Sequence, residues 1–99
     1  MVKHIILWKL RSEMSTEEKT AAKAEAKRRL EALNGKIDGL ISLKVQIEGL
    51  DSSNADMMLD SEFTTVEALG GYQVHPLHVE AAGFVKSVVE ARLCLDFNA

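Results

Sequence analysis

Val2-Lys3-His4-Ile5-Ile6-Leu7-Trp8-Lys9-Leu10 is the stretch whose reading decides the fold. In an extended chain every second side chain shares a face, so Val2, His4, Ile6, Trp8 and Leu10 lie on one side and Lys3, Ile5, Leu7 and Lys9 on the other. Both sides carry apolar groups. A strand of this kind belongs to a sheet covered on one face by helices and on the other by something else, here a second subunit.

Beyond it, Ser15 followed by Glu18 is a capping box, with Glu17 adding negative charge to the first turn. A helix is therefore expected over Thr16 to Leu33, closed by Asn34-Gly35. Ala22, Ala26, Leu30 and Leu33 recur at helical spacing as a narrow stripe whose alanines let the helix lie close to a sheet. Lys19, Lys23, Lys27, Arg28 and Arg29 are interleaved with Glu25 and Glu31 and read as a solvated, ion-paired face.

Leu40 to Ile47 alternates Ile41, Leu43, Val45 and Ile47 with Ser42, Lys44 and Gln46, which predicts a half-buried strand. After turn residues between Gly49 and Asn54, Ala55 to Phe63 predicts a third, with Met57, Leu59 and Phe63 on one side. Thr64 or Thr65 caps a short helix through Val66 to Leu69, interrupted at Gly70-Gly71. Pro76 opens the next helix, whose apolar positions are Val79, Ala82, Val85 and Val89. Ala91 to Phe97 alternates Leu93, Leu95 and Phe97 against Arg92, Cys94 and Asp96, a fourth strand.

The order βαββαβ is the ferredoxin-like split βαβ arrangement, an α+β fold with a four-stranded antiparallel sheet and both helices on one face. Ile5 and Leu7 then need cover on the far face, and 99 residues hold no third layer, so a homodimer joined through sheet faces is expected. One domain spans residues 1–99. Hydrophobic residues are 46% and charged residues 27%, a globular balance, and the net charge of -3 offers no general attraction for nucleic acid. The apolar run Ile5 to Trp8 is too short to span a membrane or act as a signal, and the single cysteine can form no internal disulfide; a cytoplasmic location is expected.

The chemistry concentrates in Gly71-Tyr72-Gln73-Val74-His75-Pro76-Leu77-His78-Val79, which holds the only tyrosine, the only proline and two of the three histidines. His78 is a candidate general base and Tyr72 a hydrogen-bond donor to an enolate oxygen. His75, displaced from helical geometry by Pro76, is expected at the helix entrance. His75 and His78 supply two metal ligands and no third, so neither a metal nor another cofactor is expected. His4, Ile6 and Trp8 share a strand face and are candidate walls of the same pocket. Met57 and Met58 read as packing. Cys94 has no histidine near it in sequence to activate it, which argues against a nucleophile.

Taken together, Val2 to Leu10 and the Tyr72-to-Val79 segment with its His-Pro-x-His pattern resemble the Dabb family, the stress-responsive A/B barrel domains, and the resemblance runs through Phe84-Val85-Lys86-Ser87-Val88-Val89. It implies a dimeric α+β barrel. In the polyketide cyclase branch of that family a tyrosine and the second histidine carry a cofactor-free aldol chemistry, which maps onto Tyr72 and His78; His4 and His75 also match histidines there, while Met57 stands where that branch has another. The expectation is a homodimer with one small apolar pocket per subunit, lined by His4, Ile6, Trp8, Tyr72, His75 and His78. It either binds an unidentified small molecule or catalyses proton transfer with His78 and Tyr72. A structural stress protein acting through assembly is the remaining reading.

Overall fold

In a computed structural model that describes residues Met1–Ala99, the elements run β1 (Val2–Leu10), α1 (Thr16–Glu31), β2 (Leu40–Gln46), β3 (Met57–Phe63), α2 (Val66–Val74), α3 (Pro76–Val88) and β4 (Val89–Asn98). The four strands form one antiparallel sheet in the order β2-β3-β1-β4. The helices pack on one face, and a single core joins them to Val2, Ile6, Trp8 and Leu10 of β1 and to Met57, Leu59 and Phe63 of β3. The fold is the expected ferredoxin-like α+β architecture. No helix is long and apolar enough to cross a membrane.

The Ser15 capping box forms in full: the Ser15 hydroxyl accepts from the Glu18 amide at 3.1 Å, and the Glu18 carboxylate from the Ser15 amide at 2.8 Å. Ala22, Ala26 and Leu30 are buried along α1. The charged side of that helix is not simply solvated. Lys27 Nζ donates to the Val45 carbonyl at 2.7 Å, Glu31 accepts from the Val45 amide at 2.9 Å, and the Asn34 amide bonds both backbone groups of Leu43 at 2.9 Å. These groups occupy the hydrogen-bonding positions that edge strand β2 would otherwise leave open.

Four local expectations change. Pairing on β2 shifts between Leu40 and Ser42, so Leu40 takes the inward place opposite Phe63 and Ile41, the extra residue, is 43% exposed. The helix after β3 continues through Gly70-Gly71, because burial of Leu69 and Tyr72 outweighs the roughly 1 kcal/mol that each glycine costs there. The break falls instead at His75, whose extended backbone (φ -64°, ψ 133°) is what a residue before proline adopts. Within α3 the buried positions are Ala81 and Val85; Val79 is 55% exposed and Val89 already begins β4.

The register of β4 places its two faces. Leu93 lies opposite Leu7 and Leu95 opposite Ile5, on the face away from the helices, while Arg92, Cys94 and Asp96 lie opposite Trp8, Ile6 and His4 on the helix side. Leu93 and Leu95 are 72% and 65% exposed in the single chain.

Candidate functional site

Between the helices and the β1–β4 half of the sheet lies a cavity of about 410 Å³. Its floor is His4, Ile6 and Trp8 of β1, its walls are largely apolar, and Lys86 of α3 and Arg92 of β4 also line it. Tyr72 comes from α2 and His78 from the first turn of α3. Pro76 produces this convergence: by ending α2 and starting α3 within two residues, it turns the chain so that positions 72 and 78 meet. The two ring centroids are 4.1 Å apart. His4 stands edge-on to Tyr72 at 6.3 Å and Phe63 lies on Tyr72 at 4.9 Å, so the phenol is held among three rings.

The Tyr72 hydroxyl is buried and has no hydrogen-bond partner. Burial pushes its pKa far above the ordinary tyrosine value, so the group is a proton-bearing donor at any physiological pH. His78 Nδ1 lies 3.2 Å from the Gln73 carbonyl, which can only accept; Nδ1 therefore carries the proton, and in the neutral ring Nε2 is an unprotonated base. Burial lowers the His78 pKa, as do the charges of His4, Lys86 and Arg92, against an opposing contribution from the Gln73 carbonyl. The ring is thus neutral at pH 7. A neutral base beside a phenol donor, in an apolar cavity, is an arrangement able to move a proton next to a carbonyl.

The structure gathers His4, Ile6, Trp8, Tyr72 and His78 around one cavity. It does not bring His75 there. That side chain caps α3, its Nδ1 accepting from the Leu77 amide at 3.1 Å, while its own amide donates to the Tyr72 carbonyl. Met57 is core, as expected. Lys86 of α3 and three polar residues of β4 were missed by sequence reasoning. Arg92 lines the cavity, Asp96 bonds His4 Nδ1, and Cys94 Sγ lies 3.7 Å from that same nitrogen. Burial raises the Asp96 pKa, but the His4 hydrogen bond and charge outweigh it and leave the carboxylate below its ordinary range. The alternation of β4 groups Arg92, Cys94 and Asp96 on one face but does not say which face meets the helices. Only the strand pairing puts His4 opposite Asp96.

These features define a class: a small ferredoxin-like α+β protein with an acid–base-lined apolar cavity between sheet and helices. The model of the stress responsive A/B barrel domain, Dabb, matches residues 2–99, and the chain belongs to that family. A dimeric protein of unknown function and ferredoxin-like fold from Bacteroides fragilis is similar to it at 33% identity and a TM-score of 0.93, over 99% of this chain and 95% of that one. A dimeric ferredoxin-like protein of unknown function from Jannaschia sp. CCS1 is similar in fold (21% identity, TM-score 0.80, 99% of this chain and 98% of that one). So is the hydroxynitrile lyase of Passiflora edulis (16% identity, TM-score 0.72, 97% of this chain and 90% of that one). No curated protein matches the sequence.

Proposed function

We propose that the chain is a homodimeric small-molecule-binding protein whose cavity, one per subunit, takes a largely apolar ligand bearing an acceptor oxygen. The observation that carries this reading is the buried, unpartnered Tyr72 hydroxyl in a largely apolar cavity. Leaving such a group unpaired costs about 1–3 kcal/mol, which a ligand oxygen would relieve. Lys86 and Arg92, which line the cavity and enter no ion pair, favour an acidic oxygen such as a carboxylate. Dimerisation is supported by the exposed Leu93 and Leu95 beside Ile5 and Leu7, and by the similar proteins described as dimeric.

Trp8 is the only tryptophan and lines the cavity, so its fluorescence reports occupancy. Titration with anilinonaphthalene sulfonate, an apolar anion, is expected to quench it saturably at one molecule per chain. Tyr72→Phe and the double substitution Lys86→Ala, Arg92→Ala should each weaken binding about tenfold, the effect of one hydrogen bond or partly exposed charge of about 1.4 kcal/mol. Unchanged affinity in both variants would overturn the assignment.

The fixed His78 tautomer favours a second reading, a cofactor-free enzyme. Nε2 takes the proton alpha to a carbonyl, and the enolate oxygen accepts from Tyr72, as polyketide cyclase-like aldol chemistry requires. The Passiflora enzyme is a lyase on the same fold. Deuterium incorporation at the activated carbon of a β-keto thioester, followed by NMR, is expected to be catalysed by the native protein and lost in His78→Ala; exchange that survives this substitution excludes His78 as the base.

A further inference from the structure

Beside the acid–base pair, three side chains of different donor type converge from two adjacent strands. His4 and Asp96 are directly opposed across β1 and β4, and Cys94, two residues before Asp96, shares its face. Cys94 Sγ is 3.4 Å from Asp96 Oδ1 and 3.7 Å from His4 Nδ1, and Asp96 Oδ1 is hydrogen-bonded to that nitrogen. All three donor atoms lie within 4.8 Å of one another. A nucleophile–base–orienter relay needs thiol and carboxylate on opposite nitrogens of the imidazole. Here both meet Nδ1, so the thiol is not set up as a relay nucleophile. Convergence on one point is instead the arrangement of metal ligation.

We propose that His4 Nδ1, Cys94 Sγ and Asp96 Oδ1 form a three-ligand site for a divalent transition cation of the zinc type. Tetrahedral zinc, with bonds of about 2.0–2.3 Å, holds its ligand atoms about 3.3–3.6 Å apart. The two sulfur separations already lie near this range. His4 Nδ1 and Asp96 Oδ1, hydrogen-bonded to each other in the metal-free chain, separate by a side-chain rotation to admit the cation between them. On binding, the Cys94 thiol releases its proton to solvent, and His4 ligates through an unprotonated Nδ1 with a proton on Nε2. Thiolate and carboxylate together supply two negative charges for the divalent ion. A soft sulfur ligand and so few oxygens select against magnesium and calcium. Because Cys94 and Asp96 are exposed on β4, a fourth position remains for water or an exogenous ligand, as in an open rather than a closed site. Two ligands two residues apart on one strand and a third directly across the ladder need no loop to rearrange.

The test uses the intact chain, stripped with a chelator and titrated with Co²⁺ and then Zn²⁺. One Co²⁺ per chain is expected, with a thiolate-to-cobalt charge-transfer band in the near ultraviolet and intense visible bands of tetrahedral cobalt. Zn²⁺ should displace it and Mg²⁺ should not. Cys94→Ser should abolish the charge-transfer band and weaken zinc binding by at least about tenfold, and Asp96→Asn should weaken it about tenfold while keeping the band. His75→Ala, away from the cluster, should change neither. Circular dichroism establishes that each variant is folded. Cobalt binding without the charge-transfer band, or zinc affinity unmoved by both Cys94→Ser and Asp96→Asn, overturns the proposal.

Discussion

Tyr72 and His78 make opposite demands on the cavity. The phenol is buried at a cost, so Tyr72→Phe should leave the ligand-free protein as stable as the native one or more stable by up to about 1 kcal/mol, measured by urea denaturation. A tyrosine kept only for packing through a satisfied hydroxyl would instead lose stability on that change. His78 has its folded pKa below the unfolded value of 6.5, so the unfolded chain binds more protons there as the solution becomes acidic. Its contribution is therefore constant above about pH 6.5 and is lost as pH falls below it, toward the depressed folded value. An NMR titration of the His78 ring should show a midpoint below that of His78 in the urea-unfolded chain, and His78→Gln should flatten the slope of stability against pH in that window. At this scale Tyr72, His78, His4 and Trp8 were legible because each is chemically conspicuous. Asp96 and Cys94 were not, since what distinguishes them is a neighbour more than 85 residues away, known only once β4 is aligned with β1.

Elements were legible where the code is local. The Ser15 capping box and the alternation in β1 depend on side chains within a few residues, and both formed where expected. The interruption at Gly70-Gly71 did not occur because helix propensity is a small quantity beside the burial of Leu69 and Tyr72, which no local pattern encodes. The helix pays for this arrangement with backbone entropy. An added Cβ at either glycine meets nothing within 4 Å, so Gly70→Ala and Gly71→Ala should each stabilise the protein by about 0.5–1 kcal/mol, read as a raised denaturation midpoint. Gly39 behaves differently. Its φ of +81° is left-handed and an added Cβ would come within 2.4 Å of Ala68 Cβ, so the turn into β2 and α2 are held together by the absence of a side chain. Gly39→Ala should cost about 2 kcal/mol or more, whereas Gly35→Ala, with φ of +79° but open space, should cost about 1 kcal/mol. Equal effects at the two sites would mean that backbone conformation alone, and not contact with α2, makes Gly39 necessary.

At the scale of the whole molecule the two edges and two faces of the sheet are treated unequally. Edge strand β2 is dressed by Lys27, Glu31 and Asn34 of α1 and its following turn, while no helix side chain does the same for β4. The face away from the helices is polar along β2 and the Asp60-to-Glu62 end of β3, where Asp60 stands opposite Lys44 and is ion-paired with Lys3, and apolar toward β1 and β4, where Met58 of β3, Leu7 and Leu93 form one row and Ile5 and Leu95 the next. The amphipathic reading of β1 anticipated that face, but its breadth came from β4, whose outward leucines join it only through the register. Such a patch on a small chain is the kind of surface that the proposed self-complementary dimer would bury. Leu95→Asp would place a charge at its centre without touching the cavity, whose walls come from the opposite face. The native chain is expected to sediment as a dimer at micromolar concentration and the variant as a monomer, still helical and still showing Trp8 quenching by an apolar anion, weakened only as far as the dimer stiffens the sheet. A native chain that is monomeric under these conditions would overturn the dimer itself, whereas a Leu95→Asp chain that remains a dimer would exclude this face as the contact and leave the β4 edge as the place to look.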